Sequence, residues 1–225
     1  MRILSWGSLF FALFLLVNSA HAQTIKIKGS ETLLPLAERW AQVYAKKKPA
    51  IHLAVSGGGS SVGLSALLKG ETDVAEASRP VNDAEKEQFR KDGKTLLDLV
   101  VAVDAVEIVV NSGNPVSVLS MEQVKGIFTG KITNWKEVGG LDAPVNTYGR
   151  DSNSGTHAFM QEHVLKGDKY VPSIKEFSGN APMVAAVMKD PGGIAYAGLA
   201  AGKIAKHLRI QGNPVPQPWK PARKT

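Results

Sequence analysis

Strand-like and helical hydrophobic patterns alternate along the first third of this chain. Three short strand-like runs occupy residues 24–28, 51–55 and 73–77. Each run is followed by a polar or glycine-rich turn and then by a helical pattern, and the three predicted helices extend to about Tyr44, over 62–69 and over 83–91. On the first helix the apolar residues fall on one predicted buried face: Leu33, Leu36, Ala37, Trp40, Val43 and Tyr44. A strand–loop–helix order repeated three times predicts a parallel α/β sheet with right-handed crossovers.

The second half of the chain mixes strand and helix signals. A β-rich run over 99–110, broken by Asp104, predicts either two strands or one long strand that leads into a second domain. Ser120 and Gln123 form a capping-box pattern that opens a helix. The remaining periodic segments predict strands over 145–148 and 194–196 and helices over 156–165 and 181–188. Four prolines follow Gln211, and because they interrupt helices and strands they predict an extended tail. They are Pro214, Pro216, Pro218 and Pro221.

The first 22 residues have the pattern of a cleaved secretory signal peptide. Arg2 supplies the positive start, residues 3–17 are almost entirely apolar, and Ala20-His21-Ala22 gives the small-x-small cleavage pattern. We therefore expect the mature chain to begin at Gln23. Because the apolar run is short for a membrane span, we expect a soluble, exported, periplasmic protein.

The amino-acid composition limits the kinds of ligand and cofactor that the protein can bind. The chain contains no cysteine, which excludes disulfides, thiol nucleophiles and cysteine-ligated metals. Its formal net charge of +7 suits anionic small molecules or anionic envelope surfaces. No stripe of basic and aromatic residues is present, so nucleic acid is not an expected partner. The scattered histidines lack the spacing of a helical zinc pair, and we expect no metal or other cofactor.

The stretch from Gly149 to Thr156 is the strongest candidate site. It follows a strand and precedes a helix, and Ser154 is a favourable N-cap residue. A helix N-terminus offers unpaired N–H groups and a partial positive charge, and Gly155 allows a close backbone approach. With the hydroxyls of Ser154 and Thr156 and the planar guanidinium of Arg150, the stretch predicts an oxyanion cradle. The alternative is a capped helix start at which Arg150 pairs only with Asp151.

Three loops of the first third carry hydroxyls or glycines where parallel strands end. They are residues 29–32, 57–61 and 78–79, and they contribute Ser30, Thr32, Ser60, Ser61, Ser78 and Arg79. Strand-to-helix loops of a parallel sheet gather at one edge, where ligands bind. We therefore expect the three loops to converge, and this convergence argues for a binding site more strongly than any single loop does.

Taken together, these motifs resemble the periplasmic phosphate-binding protein of the phosphate ABC transporter, in the type II periplasmic-binding-protein family. The resemblance covers about residues 25–199. It is carried by the motifs at 29–32, 57–63, 73–80 and 150–156, by Ile127-Phe128-Thr129-Gly130-Lys131-Ile132-Thr133-Asn134-Trp135, and by Gly192-Gly193-Ile194-Ala195-Tyr196. Each motif alone is modest evidence for the family, but their order and spacing together are strong evidence.

The resemblance implies a two-lobed α/β fold with an anion cleft between the lobes. It implies a signal peptide over 1–22, lobe one over 23–103, lobe two over 104–199, and a return segment with a Pro-rich tail over 200–225. Ser30, Thr32, the backbone N–H of Leu33 and Ser60, with Ser61 as a neighbour, would bind the anion from lobe one. Arg150, Ser154, Gly155 and Thr156 would close on it from lobe two. The function implied is the capture of phosphate or a similar oxyanion for an ABC permease by a monomer without covalent chemistry.

The sequence departs from this family in two places. Family members often carry an aspartate where Ser78 stands, and that carboxylate accepts a hydrogen bond from a protonated oxyanion. The Ser78 hydroxyl either donates or accepts a hydrogen bond, so we expect this protein to discriminate less strictly between protonated and fully deprotonated oxyanions. Arg79 adds a positive charge beside it, or alternatively pairs with a nearby acid. The chain is also short after the Gly-Ile-Ala-Tyr strand, which is consistent with a sensor or scavenger.

Two further alternatives come from other functional classes. Gly59-Ser60-Ser61-Val62-Gly63 fits the nucleophile elbow of a serine hydrolase, with Ser61 as nucleophile, Asp151 as acid and His157 or His207 as base. That interpretation leaves the other loops unexplained. An oxyanion sensor or an envelope-interaction protein that keeps this fold is the second alternative. An intact cradle over Arg150–Thr156 argues against an envelope protein that has lost its ligand.

Overall fold

The computed structural model describes residues 23–199 and 204–212. The signal-peptide prediction over 1–22 and most of the predicted tail lie outside these residues. The first elements are β1 (Gln23–Gly29), α1 (Leu34–Lys47), β2 (Ile51–Ser56), α2 (Ser60–Lys69), β3 (Val74–Glu76) and α3 (Asp83–Lys91). They are followed by β4 (Val106–Val110), β5 (Val118–Ser120), α4 (Met121–Phe128), a 3-10 helix (Trp135–Val138), β6 (Asn146–Arg150), α5 (Gly155–Phe159), a π-helix (Met160–Val164), β7 (Lys175–Phe177), α6 (Asn180–Lys189), β8 (Gly193–Gly198) and β9 (Lys206–Gln211).

The elements β1 to α3, here called lobe one, form a three-stranded parallel sheet in the order β2-β1-β3. This confirms the parallel sheet predicted from the strand–loop–helix repeat. The loops at the strand ends meet as expected: Gly59 N donates to Gly29 O over 2.8 Å, and Ser30 N donates to Glu76 O over 2.9 Å. Ser78 N donates to Ser60 Oγ over 3.1 Å and brings in the third loop.

The elements β4 to β9, here called lobe two, form a six-stranded mixed sheet in the order β5-β9-β4-β8-β6-β7. Strand β4 runs antiparallel to both of its neighbours, whereas the other pairs are parallel. The predicted α/β class with two lobes is thus observed. The exact lobe boundary between residues 103 and 104 stays a prediction.

Three strands were not expected from the sequence. The segment assigned to a return towards lobe one instead supplies β9 to the lobe-two sheet, between β5 and β4. Its side chains are mostly polar or charged and only Leu208 is fully buried, so the hydrophobic pattern is weak. Strands β5 and β7 have three residues each, which is too short to display a two-residue period.

The predicted buried face of α1 is only partly buried, which corrects the sequence analysis. Ala37 is buried, but Trp40, Val43 and Tyr44 are exposed. The helix packs mainly against β2, and a three-stranded sheet is too narrow to cover its last turns. The β-rich run over 99–110 is also shorter as a strand than expected. Only Val106–Val110 pairs, and residues 94–105 have no regular structure.

The large hydrophobic core lies in lobe two. Two clusters of buried side chains cover the faces of its sheet, and they include the aromatic residues Phe128, Trp135, Tyr148 and Tyr196. The Ile127–Trp135 motif thus supplies much of the packing behind β6 and β8. Within the described ranges, no helix has the length and apolar character needed to cross a bilayer.

Candidate functional site: an anion cradle between the lobes

Arg150 is the last residue of β6, and its side chain is held on one side by neutral acceptors. Its Nε donates to Phe177 O over 3.1 Å, Nη1 donates to Asn180 Oδ1 over 2.8 Å and Nη2 donates to Ser178 O over 2.6 Å. These contacts use three of the five guanidinium N–H groups. Each terminal nitrogen keeps one N–H for which no acceptor is found in residues 23–199 and 204–212. The arrangement fixes the plane of the guanidinium and leaves two donors for a ligand.

The charge of Arg150 is buried without an ion pair. The residue is 1% exposed, and no carboxylate forms a salt bridge with it in the described part of the chain. The alternative in which Arg150 pairs with Asp151 is therefore not observed. Burial lowers the pKa of Arg150, and the more distant charges of Glu31 and Asp151 oppose that shift. A guanidinium does not lose its proton in proteins, so the site is cationic. A buried cation is costly unless an anion compensates it.

Aromatic side chains and a histidine fix the backbone of Arg150. Tyr196 Oη accepts from Arg150 N over 3.0 Å, and His157 Nδ1 lies 2.8 Å from Arg150 O. The Tyr170 ring packs on the His157 ring with centroids 4.5 Å apart, and its hydroxyl donates to His157 O over 2.9 Å. Burial raises the pKa of both tyrosines, so their hydroxyls stay protonated. Sequence reasoning assigned no role to Asn180, Tyr170 or Tyr196, although a tyrosine in the Gly-Ile-Ala-Tyr strand was a visible signal.

The turn after Arg150 has the predicted cap. Ser154 Oγ accepts from His157 N over 3.3 Å at the start of α5, which confirms Ser154 as the N-cap. The predicted helix over 156–165 is divided, because α5 passes into a π-helix at Met160. Ser154, Gly155 and Thr156 are all buried.

The two lobes touch through this turn. Thr156 Oγ1 lies 3.0 Å from Thr32 Oγ1, and Asn153 O accepts from Ser61 N over 3.2 Å. A Cβ at Gly155 would overlap Ser60 Oγ and lie 2.6 Å from Ser78 Oγ, so only glycine permits this approach. The predicted lobe-two residues therefore meet the predicted lobe-one residues directly.

Lobe one contributes hydroxyls that are ordered by local hydrogen bonds. Ser30 is buried, and its Oγ accepts from Thr32 N over 3.2 Å and from Leu33 N over 3.4 Å. Ser60 is buried at the start of α2, and its Oγ lies 3.3 Å from Ser78 Oγ. Each hydroxyl accepts from a backbone N–H, and within the Ser60–Ser78 pair one hydroxyl donates to the other. The N–H of Leu33, expected as a ligand donor, already points at Ser30.

Ser61 and Arg79 belong to a separate ion-pair network. Arg79 Nη2 and Nη1 donate to the two oxygens of Glu85 over 2.7 and 2.8 Å. The remaining N–H groups of these nitrogens reach Ser61 Oγ over 3.1 Å and Pro80 O over 3.0 Å. The hydrogen bond with Glu85 raises the pKa of Arg79. This geometry favours the ion-pair alternative for Arg79, and its role as an anion ligand stays a prediction.

The hydrolase hypothesis finds no support in the geometry of Ser61. In the described ranges its hydroxyl has no imidazole partner, because His157 contacts Arg150 O and His207 Nδ1 lies 2.9 Å from Glu107 Oε2. The same part of the chain contains no group of three or more histidine, aspartate or glutamate side chains that could hold a metal ion.

Comparison with known proteins places the chain in a defined group. A family model described as a PBP superfamily domain matches residues 17–223. The phosphate-binding proteins PstS of Pseudomonas aeruginosa (strain PAO1) and Bacillus subtilis are 34% and 35% identical, over 76% and 77% of this chain and 57% and 56% of their own. The protein SphX of Synechococcus elongatus is 31% identical, over 81% of this chain and 56% of its own length. The chain thus spans little more than half of these curated relatives.

Solved structures agree with the fold. A Clostridium perfringens protein, named as a phosphate ABC transporter substrate-binding protein and solved with bound phosphate, superposes with a TM-score of 0.76 at 29% identity, over 84% of this chain and 76% of its own. An ABC-type phosphate transport receptor from Vibrio cholerae gives a TM-score of 0.64 at 28% identity, over 84% of this chain and 78% of its own.

Proposed function

Because the chain belongs to the PBP superfamily, we propose that it is an extracytoplasmic solute-binding protein that captures inorganic phosphate. The observation that carries this proposal is the buried guanidinium of Arg150, which has no salt bridge in the described residues and keeps two N–H groups without an acceptor among them. The names of the relatives, which are phosphate-binding proteins, support phosphate as the ligand.

Binding in this proposal is non-covalent. The two remaining N–H groups of Arg150 form the fork that holds two phosphate oxygens, and hydrogen bonds to charged groups contribute about 1.5–3 kcal/mol each. Thr156, Thr32, Ser30 and Ser60 turn their hydroxyl protons to the anion from the two sides of the cleft, and the hydrogen bond between Thr32 and Thr156 is exchanged for bonds to the ligand. Ser154 and Gly155 present the start of α5, and Ser61 and Ser78 complete the rim.

Selectivity among oxyanions depends on Ser78 in this proposal. Its Oγ lies 3.3 Å from Ser60 Oγ, so a hydroxyl pair lines the position at which an acidic acceptor would exclude a fully deprotonated anion. A hydroxyl reorients to donate to either kind of anion. We therefore expect phosphate to bind best and sulfate to be excluded less strictly than it would be by a carboxylate.

Delivery to an ABC permease in the inner membrane is the proposed role of the loaded protein. It rests on the names of relatives and solved structures, two of which refer to ABC transport of phosphate. The leader-like first 22 residues support a periplasmic location. We propose a monomer, because a binding protein opens and closes its lobes and presents both to a permease.

The test is titration calorimetry of the mature chain, residues 23–225, after unfolding, dialysis and refolding to remove any carried anion. Phosphate is titrated first, across pH 5 to 9, and sulfate second. We expect saturable phosphate binding at one site per chain and weaker sulfate binding. Absence of binding heat with every oxyanion, in a chain that has regained its circular dichroism spectrum, would contradict the proposed function.

A further inference from the structure

Glu31 has a carboxylate that is fixed at one oxygen within lobe one. It stands in the turn between β1 and α1, and its Oε1 accepts from Gly58 N over 2.7 Å. A Cβ at Gly57 would overlap this carboxylate, so the glycine turn and Glu31 are fitted to one another. The contact holds the turn before α2 against the turn before α1, and both turns carry residues of the candidate site.

The other oxygen of Glu31 faces lobe two. Its Oε2 would lie 3.8 Å from a Cβ at Gly179, which is the N-cap of α6. Helix α6 has no side-chain cap and no acidic residue in its first turn. A helix start carries a partial positive charge, which a nearby carboxylate stabilises. Lobe one thus supplies a negative charge that the sequence of α6 does not contain.

The same position is next to the residues that hold Arg150. Ser178 and Asn180 flank Gly179, and both accept hydrogen bonds from the Arg150 guanidinium. Of the acidic side chains, Glu31 does most to keep the pKa of Arg150 high against the effect of burial. It is nevertheless too distant for a salt bridge, so it does not replace the anion at the two remaining N–H groups.

We propose that Glu31 is a positioning residue. It holds lobe one against the start of α6 and against Ser178 and Asn180, which bind Arg150, so that the lobes close over the anion. The idea rests on the proposed function for its effect on affinity, but not for its effect on closure. A closed form that is stabilised in advance raises affinity, because less binding energy is used to close the lobes.

Closure is tested first without ligand. Since the chain has no cysteine, cysteines introduced at the exposed positions Lys69 in lobe one and Glu162 in lobe two take spin labels at those sites alone. In the ligand-free protein we expect Glu31→Gln to shift the interlobe distance distribution to longer values, because glutamine keeps the Gly58 contact but lacks the charge. The matched control, Glu71→Gln, changes an exposed lobe-one carboxylate and should leave the distribution unchanged. An unchanged distribution in Glu31→Gln would overturn the proposal.

Phosphate titration of the same variants provides the second readout. We expect Glu31→Gln to bind phosphate about tenfold more weakly than the Glu71→Gln control. Equal or tighter binding in Glu31→Gln would overturn the proposal while the phosphate function stands. If the parent protein binds no phosphate, the proposed function fails, and the ligand-free distances still decide whether Glu31 holds the lobes together.

Discussion

The two lobes differ in how much apolar surface they bury and in what they bring to the site. Lobe two contains both clusters of the hydrophobic core, and fully buried Trp135, Phe128 and Tyr196 lie within it. Among the described residues, lobe one buries mostly smaller side chains such as Ala37, Leu64 and Ala66, with Phe89 as its one buried aromatic ring, and leaves apolar residues of α1 in solvent. The well-packed lobe carries the buried cation together with the hydroxyls of Ser154 and Thr156, and the loosely packed lobe carries the hydroxyls of Ser30, Thr32 and Ser60.

This division has a physical reason. A guanidinium withdrawn from water needs rigid neutral acceptors on one side, and Phe177, Ser178 and Asn180 supply them at the edge of a large sheet. Electrostatic attraction to an anion is stronger in such a water-poor setting. Hydroxyls at loop ends tolerate more solvent and more movement, so a lobe that moves onto the ligand can present them. Matched changes in the two lobes are therefore expected to have different consequences.

The largest effect is expected from removal of core rings. Phe128→Ala in lobe two should lower the free energy of unfolding by about 3–5 kcal/mol, because the cavity lies among fully buried neighbours. Phe89→Ala in lobe one should cost less, near the lower end of that range at about 3 kcal/mol, because Phe89 lies outside both core clusters and fewer large buried side chains surround the space it leaves. Urea unfolding followed by circular dichroism measures both. Equal costs would contradict the difference in packing between the lobes.

A change at the contact between the lobes should affect binding more than folding. Gly155→Ala places a methyl group against Ser60 and Ser78 of the opposite lobe. Overpacking of this kind costs about 1–3 kcal/mol. Because opening relieves it, the cost falls on the closed form and weakens phosphate binding by about 5- to 150-fold. Calorimetric titration measures the loss.

The control for that variant is Gly113→Ala, which adds the same methyl group in lobe two near one side-chain oxygen, at 3.3 Å. It should bind phosphate as the parent does. If Gly155→Ala binds phosphate as tightly as the parent does, the close approach of the lobes at Gly155 is not needed for binding.

The smallest effect is a pH dependence of stability that arises in lobe one. Burial, with a contribution from Glu38, raises the pKa of Glu76 to about 7. The folded state therefore binds its proton more tightly than the unfolded state, whose carboxyl has a pKa near 4.5. The contribution of this group to stability is complete below about pH 4.5, declines as pH rises to about 7, and is absent above that.

Glu76→Gln should remove this decline. The thermal midpoint of the variant, relative to that of the parent, should be higher by a few degrees at pH 8 than at pH 5, since about 1 kcal/mol shifts the midpoint of a chain of this size by 2–4 °C. Thermal unfolding in phosphate-free buffers at the two pH values measures the difference. The same offset at both values would show that Glu76 titrates normally.

Much of the geometry of the candidate site could be predicted from the sequence, because the signals that set it are local. Ser154 is recognisable as an N-cap from its place before a helical pattern, and the convergence of the three lobe-one loops follows from parallel topology. The PBP superfamily was visible in the order of the motifs. The partner of Arg79 was left open between an anion and a nearby acid, because Glu85 lies six residues after Arg79 and pairs with it only once α3 is folded.

The fold was less predictable where packing overrides pattern. Trp40, Val43 and Tyr44 have the spacing of a buried face, yet a narrow sheet leaves them in solvent. Strand β9 is mostly polar and is held by two neighbours, β5 and β4, which no local signal identifies. The acceptors around Arg150 come from residues 177–180, about thirty positions away, and tertiary structure alone brings them together.

The most direct test of the central claim compares the two arginines by phosphate titration. Arg150→Met removes the buried charge that lacks a salt bridge in the described residues, and Arg79→Met removes the one that Glu85 already neutralises. Loss of a buried charge partner costs about 2–5 kcal/mol, so Arg150→Met should weaken phosphate binding by at least about 30-fold. Arg79→Met should change it less than about threefold. Unchanged affinity in Arg150→Met, in a variant with the parental circular dichroism spectrum, would contradict the account.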